Sequence, residues 1–177
     1  MENKFDFTVK AFITNLGKYN EGYLIGEWVT FPITEEEEKE ILKRIGINDY
    51  YEEIFFTDYD SDLDLYGTFG EYPTIDQLNE LAETIDSMSD YERKIYLAAC
   101  EADSYWVKHI DEFNPDNYGL AEDITAEEYE EQLFWDTCTK EMRDLLESNY
   151  YVTIDFEQMA RDDESITETS FGVLYEC

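Results

Sequence analysis

The spacing of apolar residues predicts a strand–strand–helix–strand order in the first part of the chain. Apolar side chains occupy alternate positions from Phe5 to Ala11, and a second strand-like run leads from Tyr23 to Phe31. Thr34 and the glutamate three positions after it match the capping box that opens many helices. A further strand-like run begins at residues 54–56. We therefore predict a small α+β domain over residues 1–70.

Helical spacing dominates the middle of the chain. Residues 66–73 contain two glycines and a proline, which is typical of a linker. Capping boxes begin at Thr74 and Ser89, and apolar residues recur after each of them at intervals of three or four. We predict that these two helices form a separate middle domain over residues 71–105.

The last part of the chain returns to a mixture of helices and strands. A capping box at Thr125 predicts one helix, and the apolar positions within 142–146 predict another. Strand-like runs occupy residues 150–154 and 171–175. The sequence therefore predicts a second α+β domain over residues 106–177, and the fold class of the whole chain is α+β.

The net charge of the chain is its most unusual property. The 177 residues include 45 Asp and Glu against 12 Lys and Arg, which gives a formal net charge of -33. A small domain needs a net charge of only about 2–8 to stay in solution. Acidic disordered chains lack aromatic residues, whereas this one has 15 Tyr, 11 Phe and 3 Trp. We therefore expect a folded protein whose surface is dense in carboxylates.

The acidic residues run along almost the whole chain and do not form a tail. Only residues 1–33 are nearly neutral, with four acids against three lysines. Duplex DNA carries about one charge per 1.7 Å of its axis, so thirty-three charges correspond to about 56 Å of duplex. Such a surface repels nucleic acids and anionic membranes and attracts basic grooves over long distances. Imitation of a polyanion is therefore one function that the charge indicates.

Three groups of acidic residues are the candidates for such a surface. The first fills the opening turn of the predicted helix after Thr34, where some side chains face outward whatever the helix packs against. The others follow the third predicted strand and the capping box at Thr125. The predicted phosphate-mimicking residues are Glu35, Glu36, Glu37, Glu38, Asp58, Asp60, Asp62, Asp64, Glu127, Glu128, Glu130 and Glu131.

Calcium binding is an alternative function of a different class. Asp60, Asp62 and Asp64 stand at positions 1, 3 and 5 of an EF-hand pattern, and Glu71 stands at position 12. Position 6 of that loop needs glycine for a sharp turn, and this chain has Leu65 there. We therefore expect no metal site, and an acidic calcium-binding protein stays the alternative.

Catalysis has little support in the sequence. His109 is the single histidine, no serine or cysteine stands in a recognisable nucleophile motif, and no glycine-rich phosphate loop occurs. With 45 carboxylates, a glycosidase-like pair arises by chance and cannot be assigned. We expect no enzyme activity and no cofactor. A carboxylate-based hydrolase and a surface adapted to high salt stay open as two further hypotheses.

The cysteines indicate the compartment. The chain has three of them, Cys100, Cys138 and Cys177, and no Cys-x-x-Cys pair. Free thiols are typical of a reducing cytoplasm. The N-terminal residues also lack the apolar run of a signal peptide or membrane span. We therefore expect a cytoplasmic protein.

Two stretches of the chain resemble the ArdA-type antirestriction proteins. The first matches the family's Tyr-Asn-x-Gly-x-Leu-x-Gly-x-Trp pattern at Tyr19, Asn20, Gly22, Leu24, Gly26 and Trp28. The second, residues 154–163, is similar to the family's Ile-Asp-Tyr-Glu-Ala-x-x-Arg-Asp-Leu stretch. It matches at Asp155, Arg161 and Asp162 and departs from it at Gln158 and Asp163.

The resemblance implies a fold and a mechanism. Members of the family are elongated chains of three small domains, in the order α+β, helical and α+β, and they form homodimers through the C-terminal domain. The dimer imitates bent B-form DNA and occupies the DNA groove of type I restriction-modification enzymes, so that phage or mobile-element DNA is protected in the cytoplasm of the host bacterium. Another DNA-binding target, such as a CRISPR nuclease, is the alternative within this class.

Overall fold

The computed structural model describes residues 7–149 and 151–177. These residues form an α+β fold with nine α-helices, two short 3-10 turns and two three-stranded antiparallel sheets. The prediction of the α+β class is therefore confirmed.

The chain packs as two compact units. The first contains the described residues up to Arg93 together with Asp103–Phe113, and the second contains Lys94–Ala102 together with Asn114–Cys177. The elongated three-domain arrangement, with boundaries after residues 70 and 105, stays a prediction.

The first unit is built on an antiparallel sheet in the order β2-β1-β3. Its strands are β1 (Val9–Asn15), β2 (Gly26–Phe31) and β3 (Ile54–Asp60). Successive side chains of a strand point to opposite faces of the sheet, so β1 buries every second residue on the inner face. The buried residues of the inner face include Val9, Ala11, Ile13, Val29, Phe31 and Phe56.

Two of the five helices in the described part of the first unit, those after Thr34 and Thr74, begin where the sequence predicts. The five are α1 (Leu16–Asn20), α2 (Glu35–Arg44), α3 (Leu65–Phe69), α4 (Ile75–Ser87) and α6 (Tyr105–Lys108). The capping boxes at Thr34 and Thr74 are both formed. The helix α5 (Asp90–Ala102) begins in this unit and continues into the second one.

The second unit contains a sheet in the order β4-β6-β5. Its strands are β4 (Tyr118–Glu122), β5 (Ile166–Thr169) and β6 (Gly172–Glu176). Its further helices are α7 (Ala126–Thr137), α8 (Lys140–Ser148) and α9 (Phe156–Asp162). The part of α5 that belongs to this unit contains six consecutive buried residues, from Ile95 to Cys100.

Two predicted segments differ from the structure. The stretch 66–73, predicted as a linker, contains most of α3, which the side chain of Asp64 caps by accepting a hydrogen bond from Gly67 N at 2.8 Å. Residues 151–154, predicted as strand, form no strand. The predicted strand positions Phe5 and Tyr150 lie outside the described residues.

The start of α7 depends on Thr125, which gives a first testable prediction. Its hydroxyl accepts a hydrogen bond from Glu128 N at 3.2 Å, and the Glu128 carboxylate accepts one from Thr125 N at 3.0 Å. We expect Thr125→Ala to lower the free energy of unfolding by about 1 kcal/mol, the usual cost of losing such a cap. Urea unfolding measures this, with Thr153→Ala, an exposed position outside any helix or strand, as the matched control. Equal loss in both variants would contradict the assignment.

Candidate functional site

Carboxylates cover the surface of both units. All but five of the described acidic residues are exposed. The exceptions are Glu27, Glu38, Glu92 and Asp163, which are half-buried, and Glu130, which is buried. Such an arrangement concentrates negative potential at the surface, where it attracts cations and basic partners.

The first predicted acidic group lies in the opening turn of α2. The Glu37 carboxylate accepts hydrogen bonds from the Thr34 backbone N at 2.8 Å and from its hydroxyl at 2.9 Å, and these bonds lower the pKa of Glu37. Glu35 lies 3.5 Å from the ammonium of Lys39. Glu36 is exposed, and no ion pair involves it within the described residues. Local hydrogen bonds and ion pairs therefore involve only some of the four glutamates at positions 35–38.

The second group lies at the end of β3 and in the segment after it. Asp60 pairs with Lys10 of β1, with 3.2 Å between Oδ2 and Nζ. Asp64 caps α3, and Asp58 and Asp62 are exposed. A strand precedes this stretch where an EF-hand has a helix. Over residues 7–149 and 151–177, no cluster of His, Cys, Asp or Glu has a geometry that could hold a metal ion.

The third group lies beside a cleft in the second unit. The cleft has a volume of about 720 Å³, and Trp135 of α7 lies in its wall, with the indole Nε1 donating to Glu131 Oε1 at 3.4 Å. The guanidinium of Arg143 lies 5.3 Å from the centre of the Trp135 ring. The carboxylates that line the cleft are Glu122, Asp123, Glu128, Glu131 and Asp136. Because the cleft is concave and lined by five acids, it offers a basic side chain several carboxylates at once.

The prediction that Glu130 belongs to the exposed surface is wrong. Only 4% of this residue is exposed, because it lies on the inward stripe of α7, four residues from both Ala126 and Phe134. The same helical spacing is present in the sequence and could have revealed its burial. Glu130 shares a hydrogen bond with Asp163, which ends α9.

The pKa values of the hydrogen-bonded carboxyl groups of Glu130 and Asp163 shift in opposite directions. Burial, followed by the hydrogen bond to Asp163, raises the pKa of Glu130. Hydrogen bonds from the Ser165 hydroxyl at 2.6 Å and from Ser165 N at 2.8 Å lower the pKa of Asp163. The second Glu130 oxygen, Oε1, is buried without a hydrogen-bond partner in the described part of the chain. Of the two carboxyl groups, Glu130 therefore keeps its proton to the higher pH.

We expect Glu130→Gln to stabilise the protein at neutral and higher pH. A raised folded-state pKa means that the contribution of Glu130 is full at acidic pH, below its unfolded pKa, and is lost as the pH rises through the folded value. The neutral amide of glutamine does not ionise, so it does not lose this contribution as the pH rises. At pH 8 we therefore expect the free energy of unfolding of the variant to be higher than that of wild type by about 1 kcal/mol, the usual size of the effect of one change at a buried polar group. Urea unfolding at pH 4 and pH 8 measures the difference. Glu127→Gln, exposed on the same helix, serves as the control, and destabilisation by Glu130→Gln at pH 8 would refute the assignment.

The first motif of the resemblance lies between α1 and β2 and has two roles in the structure. Gly22 has a φ of +90°, which favours glycine, and a Cβ at Gly26 would collide with the carbonyl oxygen of Ile13. Tyr19 and Trp28 are about half exposed. Asn20 is exposed in the last turn of α1. The glycines therefore shape the backbone while the aromatic residues face solvent.

The second motif makes local bonds in α9. Asp155 caps the helix by accepting from Gln158 N at 2.9 Å. Arg161 pairs with Glu157, and Asp162 accepts from the Gln158 side chain at 2.9 Å. Gln158, which departs from the family pattern, is therefore accommodated by a hydrogen bond within the helix.

An apolar surface on α8 was not predicted from the sequence. The pattern places Met142, Leu145 and Leu146 on one side of this helix, yet none of its residues is buried. Leu145 is 60% exposed, and Leu133 of α7 and Val152 are also exposed. Apolar helix faces of this kind are commonly covered by a partner.

Two other features bear on the function. His109 stacks on Tyr105 with 4.0 Å between ring centres, and its Nδ1 lies 3.7 Å from Glu112. These contacts are those of a structural histidine. Among the helices that the structure describes, none has the length and apolar character needed to cross a membrane.

Comparison with known proteins identifies the family. A search of curated proteins found no match. A family profile described as antirestriction protein (ArdA) matches residues 11–175. The match covers nearly the whole chain and includes both motifs. The chain therefore belongs to the ArdA family of antirestriction proteins.

Proposed function

We propose that this protein is a non-enzymatic DNA mimic that occupies the DNA-binding groove of a type I restriction-modification enzyme. Incoming phage or mobile-element DNA would be protected in the cytoplasm of the host bacterium. The observation that carries the proposal is the exposure of carboxylates over both units of a chain with a net charge of -33. In this role the carboxylates replace DNA phosphates against basic residues of the groove.

Local ion pairs leave most of this charge available. The salt bridges of the described residues engage six of the Lys and Arg side chains, each with nearby glutamate or aspartate. Since acids outnumber bases 45 to 12, even complete pairing would leave the surface strongly negative. Binding to a basic groove would then be fast, and its affinity would fall as salt rises.

We further propose that the protein acts as a homodimer that is held together by the apolar face of α8. This face consists of Met142, Leu145 and Leu146, and Val152 lines the same shallow cleft as Leu146. This cleft has a volume of about 300 Å³ and is also lined by Ile154 and Phe156. An apolar contact suits a dimer of this protein because its acidic surfaces repel each other.

A displacement titration tests the mimicry. Fluorescent duplex DNA is bound to the core methyltransferase of a type I enzyme, and the protein is added at two salt concentrations, with polyglutamate as the control. We expect displacement near one dimer per enzyme, at a far lower dose than polyglutamate, and weaker displacement at the higher salt concentration.

Absence of displacement beyond the polyglutamate control would contradict the proposed target. The same titration with a CRISPR nuclease and its DNA then tests the alternative target. A gain in thermal stability on adding micromolar calcium would instead favour the calcium-binding alternative.

A further inference from the structure

The outer face of the N-terminal sheet exposes an aromatic pair beside carboxylates. In β1, Phe12 lies opposite Trp28 of β2 on one side and opposite Asp58 of β3 on the other. The rings of Phe12 and Trp28 are in an edge-on arrangement with 5.5 Å between their centres. Trp28 remains 44% exposed. A large aromatic surface is therefore open to solvent within a strongly acidic protein surface.

The sheet itself shows that this face accommodates a cation. The ammonium of Lys10 lies 5.2 Å from the centre of the Trp28 ring and 3.2 Å from Asp60 Oδ2. One positive charge is thus held between an aromatic ring and a carboxylate. A cation over the face of tryptophan is attracted by the ring quadrupole, and tryptophan is the best of the aromatic residues for this contact.

The aromatic surface continues along the same face. Phe55 of β3 lies opposite Thr14 of β1, and Tyr19 and Tyr72 pack on its ring, with 5.0 Å and 6.2 Å between ring centres. Tyr72 is exposed, and Tyr19 is half exposed. Phe55 itself is buried, so the rings that reach solvent at this end of the sheet belong to Tyr19 and Tyr72, while Asp58 and Asp60 lie further along β3.

Charge decides which partner this face fits. A second copy of the chain would bring its own carboxylates against Asp58 and Asp60. An apolar segment would remove both carboxylates from water without a compensating bond. A guanidinium group can contact the ring and pair with the carboxylate at the same time. Its plane stacks on an aromatic ring, and its N–H groups donate two parallel hydrogen bonds to a carboxylate. Lysine, a compact point charge, gains less from such a site.

We propose that the outer face of the N-terminal sheet docks an arginine-bearing segment of the target, with a guanidinium that takes the place of the Lys10 ammonium between the Trp28 ring and Asp60. The proposal rests on the proposed function for the identity of the target. It adds a contact that carboxylates alone do not supply, because stacking on the ring selects arginine. This one contact would fix the position of the acidic surface along the groove of the target.

Changes at Trp28 that preserve the net charge test the proposal. In the displacement titration we expect Trp28→Leu, which keeps apolar bulk but removes the ring, to raise the half-displacing concentration about tenfold, as for a moderate interface hot spot. Trp28→Tyr, which keeps a ring, should raise it less. The salt dependence should stay unchanged, because no charge is removed.

Tyr50→Ala is the matched control, since Tyr50 is an exposed aromatic residue outside the sheet. Circular dichroism confirms that each variant folds. If wild type displaces DNA and Trp28→Leu does so equally well, the docking proposal fails while the mimicry stands.

A second measurement does not depend on the target. The indole N–H signals of the three tryptophans are followed by NMR in the ¹⁵N-labelled protein while hexa-arginine or hexa-lysine is added. We expect the Trp28 signal to shift further with hexa-arginine than with hexa-lysine, and further than the signals of Trp106 and Trp135. Equal shifts with both peptides would overturn the proposal. If wild type fails to displace DNA, the proposed function fails, and this titration still decides the docking proposal.

Discussion

Replacing three carboxylates of α7 by amides, as Glu127→Gln, Glu131→Gln and Asp136→Asn together, is expected to weaken displacement of DNA from the target about thirtyfold. All three residues are exposed, and two of them line the acidic cleft. An exposed ion pair contributes up to about 1 kcal/mol, and a loss of about 0.7 kcal/mol at each of three positions gives this factor. Each single change is expected to cost only about threefold.

The matched control keeps the charge at the same three positions. The variant with Glu127→Asp, Glu131→Asp and Asp136→Glu retains a net charge of -33, so it should displace DNA within about threefold of wild type. The amide variant should also show a shallower dependence of affinity on salt, because fewer ions are exchanged on binding. One amide substitution that abolished displacement in a folded protein would contradict a dispersed mimic.

The second large effect is expected at the apolar face of α8. We expect Leu145→Glu to raise the dissociation constant of the homodimer at least a hundredfold, on the order of 3 kcal/mol, because it buries a charge in an apolar contact. Two such charges, one from each protomer, would also repel each other across the interface. Sedimentation velocity over a range of protein concentrations measures the change.

Leu24→Glu is the matched control for the oligomeric state. Leu24 is 64% exposed and Leu145 is 60% exposed, so both substitutions place the same charge at equally accessible positions. Leu24 belongs to the first unit, and Leu145 belongs to the second. A monomeric wild type, or a Leu145→Glu variant that dimerises as strongly as Leu24→Glu, would exclude this face as the dimer contact.

The longer helices were predicted well because their signals are local. Capping boxes at Thr34, Thr74 and Thr125 each involve residues only three positions apart, and all three are formed. The apolar residues that recur after Thr74 at helical spacing are all buried on α4: Ile75, Leu78, Leu81, Ala82 and Ile85. The strands β4 and β5 were not predicted, because their partner β6 supplies their hydrogen bonds from distant parts of the chain. Short strands of this kind carry little signal of their own.

In the candidate site too, some interactions of the acidic residues involve neighbours in the sequence and others involve distant residues. Glu37 and Glu128 engage the caps that the sequence predicts. Asp60, in contrast, is paired with Lys10 from fifty residues earlier in the chain, and the buried Glu130 shares a hydrogen bond with Asp163 at the end of α9. The exposed rings on the outer sheet face were also not predicted as a surface, because cross-strand pairing of β1 with β2 and β3 brings them together.

The sequence by itself determined the net charge, the positions of the capped helices and the membership of the ArdA family. These properties depend on composition or on residues close together in the chain. Only the tertiary structure decided which carboxylates pair with distant residues, and which apolar side chains of α8 and the N-terminal sheet face solvent. The physical reason is that exposure and ion pairing are set by contacts between distant segments, which the spacing of residues along the chain does not encode.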